Sequence, residues 1–583
     1  MDTTLPAAAA AAAPDRSMTA EVMAPIAAAQ RIEALDVVRG FALLGIFLMN
    51  IEFFNRTFAS FNEGMPRGLT GADWLASWFV AYFVQGKFWT IFSLLFGMGF
   101  AVMLVRAEQA GREFKQVYLR RVLALAVFGA AHFIFLWDGD ILFTYAVSAL
   151  MLMVVLYGRP KPLLAAIVVF IGLGFIPDMK GFFAIAGGLT SAGLVALYLR
   201  NEKQVTLRGR SVPVFSFIMM LLGLGLSLAA VVFWLLPDGP TEPRLPLSVF
   251  GPLVLLAGGL SAKYHQPAEL RSLRLGAGLY VFVALAMTAG GVVQHFAPDP
   301  TVVSAADAAK APVAMQAAAP VAALASAPAS GAKAAEAAAK PKKTPEERAA
   351  ERRAERDKRL AEGREEKAKE EQVLTQGSYA DAVDLRARRF PEKAAGDFAG
   401  ALLFIGMFLL GGWFVRSGVM ENTAAHLPLF RKLAFWGLGI GIGIGLLGSL
   451  LAMSHTPGDR TDGWGIARGL TMLGNLPACL GYMSLVVLMM HSRTPFSRIA
   501  VLAPLGRMAL TTYLTQSLLC ALYFHGYALG HWGMPRAQQL LFVAVVYTAQ
   551  IAFSHWWLSK FRYGPMEWFW RGFTYRQLPK FRL

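Results

Sequence analysis

The sequence predicts an all-α fold: a polytopic bundle of about fourteen transmembrane helices, in a range of roughly ten to fourteen, at ~20 apolar residues each. The chain of 583 residues is 56% hydrophobic, and its mean hydropathy is +0.48, whereas soluble proteins of this size are more polar. Lys and Arg cluster in alternate connections between the apolar runs. By the positive-inside rule, both termini are expected in the cytoplasm.

The formal net charge of +17 is explained by these basic connections, which orient the spans and meet anionic lipid. No nucleic-acid-binding motif accompanies it, so the expected partner is the lipid bilayer and not nucleic acid. The two cysteines, Cys479 and Cys520, fall in apolar segments and are predicted to be small buried hydrophobes. We expect no metal site, no disulfide framework and no permanently bound cofactor.

Composition divides the chain into five parts. Residues 1–30 lack a basic region ahead of an apolar core, which predicts a disordered cytoplasmic tail and not a signal peptide. Residues 31–293 and 397–558 form an N-terminal and a C-terminal membrane block. The Ala-, Lys- and Glu-rich residues 294–396 between them predict an extracytoplasmic insertion, either disordered or a solvated helix. Residues 559–583 predict an amphipathic tail that lies in the membrane interface.

The first helix carries polar groups at both ends. Asp36 and Arg39 stand three residues apart, so they can pair with each other, or cap and orient the helix beside lipid phosphates. Asn50 follows Asp36 after fourteen residues, about four turns or ~21 Å along nearly the same face. A membrane asparagine most often bonds a neighbouring helix. The alternative is that Asn50 orients a carbonyl or an oxyanion.

The second and third spans carry further polar side chains. Lys87 interrupts an apolar run and either snorkels to the outer surface or is buried with a carboxylate partner. Arg121 and His132 are eleven residues apart, about three turns, and so face the same way. Asp140 follows in the turn WDGD. His132 with Asp140 predicts an acid–base pair; the alternatives are interhelical bonding by His132 and N-capping by Asp140.

Two C-terminal spans have distinct patterns. Arg507, Thr511 and Thr515 are spaced by four, and Gln516 adds an amide. This polar stripe favours a cavity wall, although Arg507 alone could snorkel to the surface. The glycine-rich span 433–453 predicts a close packing face within the chain, or a face for a homodimer.

Four blocks of sequence resemble the YeiB-like bacterial membrane proteins, a family known as domain of unknown function 418. They are Arg31–Asn50, Gly86–Phe100, Arg120–Ala146, and the C-terminal pair GRMALTTYL with GPMEWFWRGFTY. The resemblance implies a multipass protein of the bacterial inner (plasma) membrane. The chain departs from the family pattern in the 294–396 insertion and at Thr512, where an Asn is expected. Any role of an amide at that position is therefore not carried over.

The opening motif, with Arg31, Asp36, Arg39 and Gly40, is also similar to that of the acyltransferase-3 and heparan-glucosaminide acetyltransferase-like superfamily. In acyltransferase-3 proteins a catalytic His follows that Asp by about fourteen residues, whereas this chain has Asn50 there. The resemblance implies a related fold and a role for Asp36 and Arg39. It does not supply a catalytic histidine.

These patterns favour an acyltransferase-like enzyme that moves an acyl group from a cytoplasmic donor, with acyl-CoA as the candidate, to an envelope glycan or a small molecule. His132, Asp140 and Asn50 are the candidate catalytic residues. The candidate substrate- and donor-binding residues are Asp36, Arg39, Lys87, Arg121, Arg507, Thr511, Thr515 and Gln516. We expect these side chains to line one water-filled chamber. A transporter for a small solute and a non-catalytic membrane scaffold are the alternatives.

Overall fold

The computed structural model describes residues 31–207, 209–236, 243–297, 299, 301–302 and 344–583. The predicted tail 1–30 and residues 303–343 of the predicted insertion lie outside the described residues. The described residues are overwhelmingly α-helical, with one short β-hairpin as their only sheet. The predicted all-α fold is confirmed.

The helices follow one another along the chain with short connections. They are α1 (Glu33–Asn50), α2 (Gly71–Phe79), α3 (Lys87–Gln109), α4 (Phe114–Phe135), α5 (Leu142–Tyr157), α6 (Pro160–Gly174), α7 (Gly181–Arg200), α8 (Val214–Leu235), α9 (Arg244–Lys263), α10 (Arg271–Phe296), α11 (Pro345–Gln376), α12 (Tyr379–Arg416), α13 (Leu427–Leu451), α14 (Trp464–Met490), α15 (Ala503–Arg507), α16 (Ala509–Phe524), α17 (Arg536–Leu558) and α18 (Pro565–Tyr575). Strands β1 (Gln204–Leu207) and β2 (Arg210–Pro213) pair antiparallel between α7 and α8.

Eleven helical segments of the described residues are long and apolar enough to cross a membrane. Helices α5 and α6 are apolar but shorter, at about 24 Å and 22 Å for a rise of ~1.5 Å per residue. The multipass character is confirmed, whereas the count of fourteen spans stays a prediction.

Connections that the predicted topology places on one side contact one another. At the end that carries α11, which we call the insertion end, Met65 N donates to Met453 O at 3.0 Å and Asn55 Nδ2 donates to Met534 O at 2.8 Å. At the opposite end, the tail end, which carries α18, Arg416 pairs with Glu108 at 3.3 Å. The alternation of helix directions therefore agrees with the basic connections, and the cytoplasmic orientation of the tail end stays a prediction.

The core lies where α1, α3, α12 and α14 pack together. The α8–α9 hairpin contributes little to it and exposes large apolar side chains along its length, as expected of helices that face lipid. The glycine ridge of α13 packs inside the chain: a Cβ on Gly441 would meet the backbone of Ala478 in α14 at 2.3 Å, and one on Gly437 would meet Pro477 O at 2.6 Å. These glycines are thus used within the chain, while Gly439 and Gly443 face open space and a homodimer through that face stays a prediction.

The predicted second span, which carries Lys87, is a broken helix. Helix α2 passes through a π-helical turn, Val80–Val84, and the chain breaks at Gly86, whose φ is +83°. A side chain on Gly86 would clash with Asn475, so glycine serves both the backbone angle and the close approach. Both predictions for Lys87 are wrong. Lys87 is buried, and its ammonium bonds the backbone carbonyls of Tyr82 and Gln85 that the break exposes, with no carboxylate partner in the described part of the chain.

The predicted insertion contains ordered helices. Helix α11 begins with a capping box at Thr344, and most of its residues face solvent, as the solvated-helix alternative requires. Helix α12 begins at Tyr379, well before residue 397 where the sequence placed the membrane block. Helix α11 and the start of α12 consist mainly of charged residues that favour helix and form salt bridges. A charged helix can continue from the membrane into solvent without a break, so the apolar residues alone do not mark where α12 begins.

Candidate functional site

His132 and Asp140 form a buried pair near the insertion end. The Nδ1 atom of His132 lies 2.8 Å from Asp140 Oδ2, and both side chains are 0% exposed. His132 stands on the last turn of α4. The other oxygen of Asp140 accepts from Phe143 N in the first turn of α5 at 2.7 Å, although the N-cap position itself is Ile141. The predicted contact between His132 and Asp140 is therefore present, and its acid–base role stays a prediction.

The opposite ring nitrogen of His132 is free. His132 Nε2 is buried and has no hydrogen-bond partner among the described residues. A carboxylate on Nδ1 holds the imidazole in one orientation and leaves Nε2 as the atom that can exchange a proton with a substrate. The Tyr513 ring lies beside it, with ring centroids 5.0 Å apart. This is the arrangement of a general base with an orienting carboxylate.

Asn50 lies at the same end but does not join the pair. It is the last residue of α1, and the turn that follows it contacts the loop between α4 and α5. There Trp137 Nε1 donates to Phe53 O at 3.1 Å, and the Trp137 ring stacks on Phe54. No hydrogen bond connects Asn50 to His132 or Asp140 within the described residues. Its catalytic role stays a prediction.

The predicted basic residues gather at the tail end. Arg39 pairs with Asp36 at 2.7 Å and donates to Gly506 O at 3.3 Å, as their spacing predicts. Further arginines surround this pair within electrostatic range: Arg31, Arg121, Arg507 and Arg571. None of those four forms an ion pair within the described residues. Desolvation by burial, and then the positive charge of Arg507, lower the pKa of Arg31.

Helix α18 supplies the other side of this cluster. The guanidinium of Arg121 lies 3.7 Å from the centroid of the Trp570 ring, and Trp570 Nε1 donates to Arg121 O at 3.0 Å. Arg507 Nε is buried without a hydrogen-bond partner in the described chain. The tail segment is therefore more than the interfacial anchor that its amphipathic sequence predicts. It packs an aromatic ring against a cationic cluster whose charge is not neutralised.

Glu567 of α18 was missed by sequence reasoning. Its carboxylate accepts from Leu510 N at 2.7 Å, from Thr511 N at 3.1 Å and from Thr511 Oγ1 at 2.6 Å, so it caps the N-terminus of α16. Burial raises the pKa of Glu567, while these hydrogen bonds oppose the rise. The available signal was that Glu567 is the single acidic residue in the block GPMEWFWRGFTY.

The rest of the polar stripe on α16 is satisfied by the neighbouring helix. Gln516 Nε2 donates to Gln550 Oε1 at 3.0 Å, and Gln550 Nε2 donates to Thr515 Oγ1 at 2.9 Å. Thr515 also bonds Thr512 O at 2.9 Å. Since Gln550 of α17 meets these side chains, the stripe connects two helices here instead of lining a cavity.

The predicted site residues line neither of the two cavities that stand out in the described residues, and the expected shared chamber stays a prediction. The predicted residues fall into separate places: the His132 pair, the arginine cluster, the amide contacts with α17, and Lys87 at the broken helix. Two shallow cavities stand out in the described residues, of about 340 Å³ and 290 Å³. The first is lined by Tyr523, His531, Trp532 and their neighbours. The second lies between the start of α4, at Lys115, and the end of α5, at Tyr157. Neither is lined by a predicted site residue.

The polar groups of α4 are nevertheless aligned. Arg121 and His132 stand three turns apart on one face, ~16 Å along the axis. Toward the tail end Arg121 faces Trp570, and toward the insertion end His132 faces Tyr513. Helix α16 connects the two contacts, because its Thr511 bonds Glu567 of α18 and its Tyr513 lies against His132.

The sequence is similar to a protein family and to several bacterial proteins. Residues 414–577 match a family model described as a protein of unknown function, DUF418. The chain is 24% identical to the uncharacterized protein YxaH of Bacillus subtilis (strain 168) over 555 residues, 94% of each chain. It is 36% identical to the uncharacterized protein YeiB of Escherichia coli (strain K12) over 175 residues, which are 29% of this chain and 44% of YeiB.

A third relative, an uncharacterized 39.9 kDa protein in the amylase 3′ region of Bacillus acidopullulyticus, is 40% identical over 131 residues, 22% of this chain and 36% of that protein. No solved structure matches the chain. The matched region contains both C-terminal blocks, GRMALTTYL and GPMEWFWRGFTY, which here form the α16–α18 contact. The resemblance read from those blocks is confirmed: residues 414–577 match the DUF418 model, and the chain is similar to YeiB over part of its length.

Proposed function

We propose that this protein is a membrane acyltransferase in which His132 acts as general base. The observation that carries the proposal is the His132–Asp140 hydrogen bond of 2.8 Å, with Nε2 of the imidazole left buried and unbonded in the described chain. A buried ring nitrogen without a partner costs free energy. His525 Nε2 is also buried and unbonded in the described chain, and what distinguishes His132 is the carboxylate on its other ring nitrogen. A ring nitrogen without a hydrogen bond, on an imidazole whose other nitrogen is held by a carboxylate, is suited to proton transfer.

The chemical step uses the residues of the pair as follows. Nε2 of His132 accepts the proton of an acceptor hydroxyl or amine while the acceptor oxygen or nitrogen bonds the carbonyl carbon of the activated acyl donor. The tetrahedral intermediate then collapses, the bond from that carbon to the leaving group breaks, and the leaving group receives the proton from Nε2. Asp140 stabilises the imidazolium formed between these two steps. Tyr513, beside the ring, is the candidate donor to the oxyanion.

The arginine cluster supports an anionic donor that enters from the tail end. A phosphate-bearing thioester such as acyl-CoA carries its charge far from its acyl group, on a flexible arm. Arg121 and His132 share one face of α4 at ~16 Å, a separation that such a donor can span. The proposal requires a path to open between the two places when the donor binds, so that the phosphates meet the arginines while the acyl group reaches Nε2. Guanidinium groups without carboxylate partners are suited to phosphate, and Trp570 offers a flat apolar surface beside them.

The proposal is tested with the full-length protein in lipid nanodiscs, radiolabelled acetyl-CoA and an extract of bacterial envelope. We expect transfer of label to an extract component and a loss of about 10²–10⁴-fold in the His132→Gln variant. The matched control is His531→Gln, since His531 is an exposed histidine at the same end. Absence of transfer by the wild type with any acceptor fraction, or equal transfer by His132→Gln, would contradict the proposal.

A small-solute transporter is the second candidate, and the broken helix favours it. Discontinuous helices with buried polar groups often hold substrates in transporters, and here Gly86 breaks the helix next to the buried Lys87 and Asn475. Uptake of an unmodified solute into proteoliposomes, abolished by Lys87→Met and unaffected by His132→Gln, would favour transport over acyl transfer.

A further inference from the structure

The insertion end holds a structural element that the proposed chemistry does not use. The first turns of α12, from Tyr379 to Asp397, run beside the end of α4 and the start of α5, which are the two helix ends that carry His132 and Asp140. Arg386 is 2% exposed and donates from Nε to Ile134 O at 3.0 Å and from Nη2 to Phe135 O at 3.5 Å. Tyr379 Oη donates to Phe135 O at 3.0 Å.

These bonds satisfy the end of the helix that carries His132. The last carbonyls of a helix have no partner within it, and a buried carbonyl without a donor is costly. A charged donor such as Arg386 gives the stronger kind of hydrogen bond. The last turn of α4 is therefore attached to α12 two and three residues after His132.

The same segment also holds the start of α5. Lys393 Nζ donates to Thr144 Oγ1 at 2.8 Å, and Thr144 Oγ1 donates to Asp397 Oδ1 at 2.8 Å. Between these polar contacts, the Phe390 ring packs against Phe133 of α4 and Phe143 of α5, with centroids 5.7 Å and 5.0 Å apart. One side of α12 thus touches both helices of the pair.

Helix α11 completes the arrangement through a buried ion-pair network. Arg389 bridges Asp138 at 3.1 Å and Glu370 at 3.0 Å. The Glu370 side chain is 1% exposed, and it also accepts from Phe58 N at 2.6 Å. The loop between α4 and α5 is therefore connected through Arg389 to α11, and through Glu370 to the segment that follows α1.

We propose that Arg386 and Lys393 are positioning residues, which hold the ends of α4 and α5 together so that His132 and Asp140 keep their hydrogen bond. The 2.8 Å contact joins a side chain on the last turn of α4 to one in the turn just before α5, so its geometry depends on how those two helix ends are spaced. The predicted insertion then contributes directly to the site, because α12 extends into it. The inference rests on the proposed function only where it calls the pair catalytic.

The test measures the placement of His132 without requiring activity. The full-length protein in nanodiscs is treated with diethyl pyrocarbonate, and the rate of His132 modification is followed by mass spectrometry. In the wild type His132 is buried and should react slowly. We expect about tenfold faster modification in Arg386→Gln, because a buried charged hydrogen bond is lost, and an intermediate rate in Arg386→Lys, which keeps one donor.

The matched control is Arg388→Gln. Arg388 lies two residues away on the same helix, but its exposed side chain pairs with Asp384 one turn earlier, at 2.9 Å, and with no other carboxylate of the described residues. Its His132 should react at the wild-type rate. If Arg386→Gln does not fold, Lys393→Gln applies the same test at the α5 side. Wild-type reactivity of His132 in whichever folded variant is obtained would overturn the inference.

The failure of this inference and the failure of the proposed function can be told apart. Faster His132 modification in Arg386→Gln supports the positioning role even if the wild type transfers no acyl group. If transfer is present, the loss in Arg386→Gln should appear in kcat more than in KM, and Arg386→Lys should restore part of it. Transfer by the wild type together with wild-type His132 reactivity in both variants overturns the inference alone.

Discussion

The two ends of the bundle treat their charges in opposite ways. At the insertion end, buried acidic and basic side chains meet one another: Arg389 bridges Asp138 and Glu370, and Lys393 pairs with Asp397 at 2.5 Å. At the tail end, Arg31, Arg121, Arg507 and Arg571 form no ion pair within the described residues. Neutralised charges hold helices together, whereas charges left unneutralised attract a ligand of opposite sign.

The strongest test of this comparison is at Glu370. We expect Glu370→Ala to destabilise the attachment of α11 by about 1–3 kcal/mol, because Phe58 N loses its buried carboxylate acceptor and Arg389 keeps only Asp138 as its carboxylate partner within the described residues. Hydrogen exchange of the α11 backbone amides should rise accordingly. Glu371→Ala is the matched control, since Glu371 is exposed on the next position of the same helix. Equal exchange in the two variants would mean that the network does not hold α11.

The pH dependence of stability tests the same network at Asp138. Burial and the nearby Glu370 carboxylate raise the pKa of Asp138 to about 6, although Arg386 and Arg389 oppose the rise. In the unfolded chain an Asp titrates near its ordinary value of about 3.9. The folded protein therefore binds this proton more tightly, and the free energy of unfolding should fall as pH rises from about 4 to about 6.

Asp138→Asn should remove this decrease in the free energy of unfolding, which amounts to up to about 3 kcal/mol between about pH 4 and about pH 6. The measurement is Tm in nanodiscs at several pH values from 4 to 7. Asp384→Asn is the control, because Asp384 is an exposed carboxylate on α12. Parallel Tm profiles for the wild type and Asp138→Asn would refute the assigned titration.

At the tail end, Arg121→Ala should change ligand affinity more than stability. We expect the dissociation constant for acetyl-CoA to rise at least about tenfold, since a cation and its contact with Trp570 are lost, while Tm should move little because no ion pair is broken. Isothermal calorimetry and Tm measure the two effects. Arg120→Ala is the control, as Arg120 bonds Gln116 on the exposed side of the same helix. A large loss of Tm with unchanged affinity would reverse the comparison.

The smallest expected effect is at Glu567, the tail-end carboxylate that serves structure. Glu567→Gln keeps the shape but loses the charge that caps α16, which should cost about 1 kcal/mol. Tm should fall slightly and the binding of acetyl-CoA should not weaken. Arg576→Gln, at an exposed position just after α18, serves as the control. Weaker ligand binding in Glu567→Gln would show that this carboxylate belongs to the ligand site.

Particular residues show how far the sequence could predict the site. The Asp36–Arg39 and His132–Asp140 pairs were predicted because each involves neighbours on one helix or across one tight turn. The Arg389–Glu370 pair joins a predicted insertion helix to α12, and the Glu567–Thr511 contact spans more than fifty residues of sequence. Helical periodicity carries no information about such pairs, since it places side chains on a face and does not identify the facing helix.

Lys87 shows the same limit from another direction. The sequence placed a charge inside an apolar run, and neither predicted outcome gave Lys87 backbone carbonyls as partners. The break at Gly86 provides carbonyl partners that no composition analysis could anticipate.

The sequence by itself determined the helical membrane architecture and the alternation of basic connections, because hydrocarbon requires long apolar helices with internally bonded backbones. It also carried the family resemblance. Only the tertiary structure decided which polar groups are satisfied and which are left open. It paired the charges of the insertion end and bonded the α16 side chains to Gln550. It left His132 Nε2 and Arg507 Nε without a hydrogen bond within the described residues. The physical reason is that satisfying a buried polar group depends on the helix that packs against it, and that neighbour is a property of the fold.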